Sequence, residues 1–447
     1  MMNLMYNQFL TRMLGLIILT ALISSCCTKS NNASNILLIK NALLIPMEAK
    51  QDTCFYGYLL VNQKGNIQDI GSGMPSKNIK AEKTIDAKGY WVLPGFISAH
   101  SHLWQSAFTG IAPNENLEGW IAAIYGGEAQ KLTAKDMYTL TYKGAKDHLK
   151  NGITTAFNFT FTGRDTTLAV DKAQLQAALD ANIRVIHGFN VRKISNQWTP
   201  LQAEQRLLNF LNWTETIDNQ NSNYFSTMIA GYSTYEDSTL LQALTESQLM
   251  QKFNVYNQQH YLESPLQTEI EQEHFKWLIE SNMLNPKLIL GHFIHTNPYI
   301  TEMVAKNKVS MVWNPLSNGR LGSGTPDIVV YKSKNIQIGM GVDGAASSDR
   351  SDPFENMRMG LYSIRAMKQN ASVLTPYEIL RMHTTGSARV LNIHEYVGSL
   401  AKGKKADLII IDPSSFTPYK KTIDALVLGA STKDIKNVFV GGVEVSK

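Results

Sequence analysis

The chain reads as an α/β protein: a TIM-like (β/α)8 barrel joined to a small β-sandwich built from segments near its two ends. Three observations carry that expectation. Between residues 94 and 396, short strand-like runs alternate with stretches of helical periodicity, the texture of a parallel sheet with crossover helices. Eight such runs can be counted. The flanking stretches, 35–93 and 397–447, carry apolar runs split by Gly and Asn turns instead.

With 447 residues, 44% of them hydrophobic and 18% charged, the chain can bury a large core. Net charge is +5 and no Lys/Arg run stands out, which argues against nucleic acid as a partner. A homo-oligomer is compatible with this composition. The three cysteines, Cys26, Cys27 and Cys54, are too few and too badly placed for a disulfide framework or a cysteine-ligated zinc. Any metal must be held by His and carboxylate.

Taken in order, the chain opens with Arg12, the apolar run Met13 to Ile23, and Ser24-Ser25-Cys26. The run is shorter than the roughly 20 residues of a spanning helix, and small residues precede the cysteine. The pattern resembles a bacterial lipoprotein signal. That resemblance implies a signal peptide over 1–25, lipidation at Cys26, a polar tether over 26–34, and a chain held at a membrane through its acyl groups. The implied address is the bacterial cell envelope, with Cys27 after the anchor favouring the outer membrane.

The small domain follows. Ile36-Leu37-Leu38-Ile39, Tyr58-Leu59-Leu60-Val61 and Tyr90-Trp91-Val92-Leu93 read as strands, with Lys64-Gly65-Asn66 as one of the turns between them. Near the other end, Leu408-Ile409-Ile410-Ile411 and Val438-Phe439-Val440 repeat the style, so both ends are expected in one domain.

The first barrel strand is Pro94 to His102, and alternation along it sends His100 and His102 to the same side, close enough to share a metal ion. Thr133 can cap the helix that follows and Gly152 can close it. The later strands are expected near Ile153–Phe157, Ile183–Gly188, Thr227–Tyr232, Asn254–His260, Lys287–His292, Val309–Trp313 and Ile336–Asp343. Barrels of this kind gather catalytic groups at the C-terminal ends of their strands. His100, His102, His260, His292 and Asp343 all fall there, whereas His187 reads as a packed residue and His295 as a loop histidine.

These residues stand in motifs: Trp91 to Phe96, His100-Ser101-His102, Gly152-Ile153-Thr154-Thr155, His260-Tyr261-Leu262-Glu263-Ser264, Leu290-Gly291-His292, Asn314-Pro315-Leu316-Ser317-Asn318 and Gly341-Val342-Asp343-Gly344. Gly403-Lys404-Lys405-Ala406-Asp407 and Gly441-Gly442 follow. In this order they resemble the amidohydrolase superfamily, in its aminohydrolase and chlorohydrolase branch, related to cytosine deaminase. The resemblance implies one divalent metal on His100, His102, His260 and Asp343, with zinc the first choice and iron(II) the second. It implies hydroxide generated at that metal and added to an sp2 carbon. Glu263 would shuttle the proton, with His292 and Asp343 completing the catalytic set. Two-metal members carry a lysine on the fourth strand; Thr227 to Ser233 has none, which favours a single metal.

Many members carry a substrate-contacting histidine just after the fourth strand, where this chain has Tyr232-Ser233-Thr234-Tyr235. Trp104, Gln105, Tyr232 and Asn314 are candidate substrate contacts, with Trp120 and Trp313 as further aromatic walls. The expected reaction is deamination of a purine, pyrimidine, pterin or triazine type of small molecule. Hydrolysis of a cyclic amide or a carbon–halogen bond, or a catalytically silent, lipid-anchored binding protein, are the rival readings.

Overall fold

The computed structural model describes residues 35–446 except 49–52, 164, 192–197, 219–220 and 417. The apolar leader, Cys26 and the tether lie outside the described residues. Among the described residues no helix is long and apolar enough to cross a membrane.

Strands β1 (Asn35–Leu44), β2 (Phe55–Asn62), β3 (Ile67–Ser72), β4 (Lys83–Asp86) and β5 (Trp91–Pro94) come first. Then follow β6 (Phe96–His102), β7 (Ile153–Phe159), β8 (Arg184–Asn190), β9 (Tyr224–Ala230), β10 (Asn257–Tyr261), β11 (Leu288–His292), β12 (Ser310–Trp313), β13 (Ile338–Met340) and β14 (Asp343–Gly344). The chain ends with β15 (Leu408–Ile411), β16 (Ile435–Val440) and β17 (Val443–Ser446).

Strands β6 to β14 form one parallel sheet that returns on itself. Met340 of β13 pairs with Trp313 of β12, while Asp343 and Gly344 of β14 pair with Ser101 and His102 of β6. Since β13 and β14 are one run interrupted at 341–342, the eight expected strands are present and the sheet curls into an α/β barrel. Gly341, at the interruption, has no room for a side chain: a Cβ there would lie 2.5 Å from the His100 carbonyl oxygen and 2.4 Å from Asn314 Oδ1. The fifth strand begins at Asn257 rather than Asn254, since Asn254 adopts a left-handed conformation (φ 56°) to close the preceding helix. Thr133 and Asp136 make a reciprocal capping box on the helix Ala134–Lys150, and Gly152 has φ 83° just beyond it.

One interruption in β6 decides what the barrel does. Ile97 and Ala99 belong to the apolar cluster inside the barrel, with Phe157, Phe159, Ile186, Met228, Ala230, Ile289 and Val312 from five other strands. Strict alternation would then send His100 and His102 outward. Instead Ser98 pairs with Ala156 and Ser101 with Asn158, so three steps on β6 face two on β7. This bulge reverses the phase, and both histidines turn inward.

Both chain ends contribute to a second, mixed sheet in the order β17-β16-β15-β5-β1-β2-β3, with β4 paired to β1. Its hydrogen-bond ladder is continuous from β17 to β3. Leu37, Ile39, Leu59, Val61, Leu408, Ile410 and Phe439 from β1, β2, β15 and β16 meet in its own apolar cluster, while Trp91, Leu93, Ile409 and Ile411 pack into the cluster that fills the helix layer of the barrel.

A buried ion pair joins the two sheets. Arg184, at the start of β8, donates Nε to Asp407 Oδ2 at 2.5 Å and Nη2 to Oδ1 at 2.9 Å, and its Nη1 reaches the Ser222 carbonyl at 2.8 Å. Both side chains are almost fully buried. Removing one charge leaves the other stranded in the interior, at a cost of about 3–5 kcal/mol. Asp407→Asn is expected to lower the urea unfolding free energy by about 3 kcal/mol; a loss below about 1 kcal/mol would show that the pair does not hold the sheets together.

Candidate active site

The bulge places His100 and His102 side by side at the C-terminal end of β6, their rings 5.0 Å apart and edge to face. Ser101 points the other way, its Oγ 3.0 Å from Nε2 of His148 on the helix behind. His260 enters from β10 and His292 from β11, both neighbours of the His100 ring. Asp343 enters from β14.

The metal-capable atoms converge. Nε2 of His102 and Nε2 of His260 are 3.2 Å apart. Asp343 Oδ1 lies 3.4 Å from His100 Nε2 and 3.2 Å from His102 Nε2. The ligating atoms of His100, His102 and Asp343 all fall within 4.8 Å of one another, as do those of His100, His260 and His292.

The far side of each ring shows what the centre is built for. His100 Nδ1 faces Gln258 Oε1 at 2.5 Å, and the Gln258 amide is oriented by donating its Nε2 to the Ala99 carbonyl. His102 Nδ1 faces the Phe159 carbonyl at 3.1 Å. Both partners only accept, so each ring keeps its proton on Nδ1 and turns a lone pair inward from Nε2. His260 Nδ1 meets the Tyr235 hydroxyl at 2.9 Å. His100 Nε2 is buried with no hydrogen-bond partner. Lone pairs that face one another and a carboxylate are stable around a cation, and three imidazoles with one carboxylate suit a divalent metal of borderline hardness. The residues therefore fit the expected group.

Electrostatics agree. Burial pushes His292 down to about 3 and His260 well below the ordinary histidine range, the latter helped by the neighbouring His100 and His102 rings. Burial alone would raise Asp343, but its contacts with His100 and His102 outweigh it and hold the carboxyl well below the usual range. Glu263 goes the other way: burial first, then the negative charges of Asp343, Glu271 and Glu118, push it well above an ordinary glutamate. Its Oε1 lies 3.2 Å from His292 Nδ1.

The strand ends reach this arrangement by turning left-handed: Leu262, His292, Phe293 and Asp343 have φ of 52°, 65°, 50° and 58°. Each such residue costs roughly 1–2 kcal/mol. Hydrogen bonds hold them there. Phe293 donates its N–H to Tyr261, and Ser347 donates its hydroxyl to Asp343 Oδ2 at 2.8 Å.

The other expected residues divide. Asn314 sits beside the centre, its Nδ2 3.2 Å from His292 Nε2. Trp104 is fully buried and stacks on Phe161 at 5.2 Å, and Gln105 donates Nε2 to the Tyr125 hydroxyl at 3.3 Å, so both back a wall. Tyr232 turns its hydroxyl to Asp237 at 3.1 Å. Trp120 donates its indole N–H to the Ala346 carbonyl, while Trp313 packs among the helices. His187 stacks on Phe210, and His295 donates Nε2 to the Ser323 carbonyl, as packed and loop residues do.

Sequence reasoning passed over Gln258, Asn318 and Tyr235. Gln258 is two residues before His260 on the same strand and so shares its face, a signal that was available. Asn318, whose Nδ2 lies 2.8 Å from His292 Nδ1, is four residues after Asn314 in a helical turn, which puts both amides on one side. Tyr235 had no comparable signal.

A profile of the amidohydrolase family matches residues 91–445. A 5-methylthioadenosine/S-adenosylhomocysteine deaminase of Bacillus cereus is 26% identical over 415 residues, spanning 91% of this chain and 92% of the relative. Two solved structures share the fold at 20% identity and a TM-score of 0.80: an adenosine deaminase from Xanthomonas campestris with bound zinc, over 92% of both chains, and a triazine hydrolase from Arthrobacter aurescens, over 92% of this chain and 94% of the other. The family match runs from the start of β5 to within β17 and takes in every residue of the cluster, and the chain belongs to the amidohydrolase family.

Proposed function

We propose that this protein is a metal-dependent hydrolase that deaminates an aminated heterocycle. One observation carries the reading: a buried carboxylic acid, Glu263, stands against His292 beside a His/His/His/Asp cluster and is pushed toward its protonated form. His100, His102, His260 and Asp343 hold one divalent metal, zinc first and iron(II) second. When bound it supplies Lewis-acid activation of water near neutral pH.

The chain's own groups do the rest. Asp343, kept ionised, takes a proton from the attacking water. Glu263 gives its proton to the ring nitrogen next to the amino-bearing carbon, so that negative charge does not build up on the ring. His292, neutral and held between Asn314 and Asn318, orients the adding oxygen. The proton held on Asp343 then passes to the amino nitrogen, the carbon–nitrogen bond breaks to release ammonia, and Glu263 regains its proton from the added hydroxyl as the oxo-heterocycle forms. The Bacillus cereus relative makes aminated purines the first class to test, with pyrimidines, pterins and triazines after them.

From the opening sequence we also infer lipid attachment at Cys26, facing the periplasm or exterior from the outer membrane. Cys26→Ser is expected to move the protein from the membrane fraction to the soluble one; unchanged fractionation would refute the anchor.

Three measurements test the chemistry. Wild-type protein should release ammonia from at least one aminopurine, aminopyrimidine, aminopterin or aminotriazine, and release of halide or a ring-opened amide with no ammonia would replace deamination. His260→Ala and Asp343→Asn should each lose metal, and near-stoichiometric metal in both would sink the ligand set. Tyr235→Phe takes away the partner of His260 Nδ1 and should weaken metal binding by about 10–100-fold in chelator competition; an unchanged affinity would mean that this contact does not orient the ring.

A further inference from the structure

Glu271 is a buried acid for which the proposed chemistry has no use. It lies on the helix Thr268–Glu280, is 5% exposed, and among the described residues pairs with no Lys or Arg. One of its oxygens, Oε2, accepts the backbone N–H of Leu262 at 2.5 Å, and Tyr261 donates its hydroxyl to the Glu271 carbonyl at 3.1 Å.

Leu262 is the residue before Glu263 and is fully buried with φ 52°. A leucine adopts that conformation only where its surroundings impose it. Its carbonyl accepts from the N–H groups of Ile294 and His295, at 2.9 and 3.0 Å. Among the described residues its N–H goes to Glu271 alone. With both backbone groups tied, the left-handed turn is fixed, and the turn aims the next side chain at His292.

We infer that Glu271 is a positioning residue that fixes the left-handed turn at Leu262 and thereby holds the Glu263 carboxyl against His292. This rests on Glu263 being the acid of the proposed deamination. Glu271 acts through one acceptor oxygen rather than through charge. Burial raises its carboxyl to about 8, although the Leu262 bond opposes the shift, so a neutral side chain of the same shape can replace it. Without the acceptor, the buried Leu262 N–H has no partner, and the turn relaxes toward an extended strand that carries Glu263 off the site.

The test compares Glu271→Gln, which keeps an acceptor, with Glu271→Met, which keeps volume only. Crystal structures of the metal-loaded variants should show Leu262 left-handed and Glu263 against His292 in the Gln form. In the Met form Leu262 should take a negative φ and Glu263 should be displaced. In ammonia release, Glu271→Met should lower kcat roughly 100-fold, with KM and bound metal unchanged, as expected for a misplaced acid; Glu271→Gln should stay within about 5-fold of wild type. An undisturbed turn in the Met form, or a Gln form as impaired as the Met form, overturns the inference. If the Met chain does not fold, the Leu262 amide is followed by hydrogen exchange in the wild-type and Gln proteins, and rapid exchange in either overturns it as well. A wild-type protein that releases no ammonia refutes Glu263 as the acid, while the structures still decide what Glu271 holds.

Discussion

Buried imidazoles can face one another across a few ångströms only if each has somewhere else to put its proton. Here His100 and His102 place theirs on oxygens that cannot donate, Gln258 Oε1 and the Phe159 carbonyl, and His260 meets the Tyr235 hydroxyl. The inward nitrogens are left as lone pairs by hydrogen bonds made on the side away from the centre. Convergence on Asp343 and fitness for a cation descend from that outward bonding, while burial holds His102, His260 and His292 below the ordinary histidine range.

The geometry is expensive locally. Four residues at the strand ends take left-handed conformations without being glycine, and an acid is buried near other acids. A rigid frame offsets this. The strands below the site are filled by interlocking apolar side chains, and the Arg184–Asp407 pair ties the barrel to the sheet that gathers both chain ends.

Much of this was legible in the residues. Alternating texture gave the eight barrel strands, and the strand-end rule picked out His100, His102, His260, His292 and Asp343, which the structure brings together. Other features left little trace. Alternation put His100 and His102 on a common face but could not say which one, because the bulge after Ser98 has no residue signature. Leu262 and His292 break the preference of their residue types for negative φ, so composition would place neither in such a turn. Tyr235 reaches the cluster from the stretch beyond the fourth strand, which stops at Ala230, so alternation along that strand does not foretell its place.

The bulge in β6 also makes the reading frame of that strand part of the catalytic design. Between Ser98 and Ser101 three steps on β6 span two on β7, so loss of Ala99 would leave two steps against two and keep the pairing on either side. Plain alternation from Ser98 would then still turn His100 and His102 inward. The extra residue is therefore what lets one strand send two consecutive side chains inward, Ala99 to the apolar filling and His100 to the metal-capable cluster, a service that no single side chain performs.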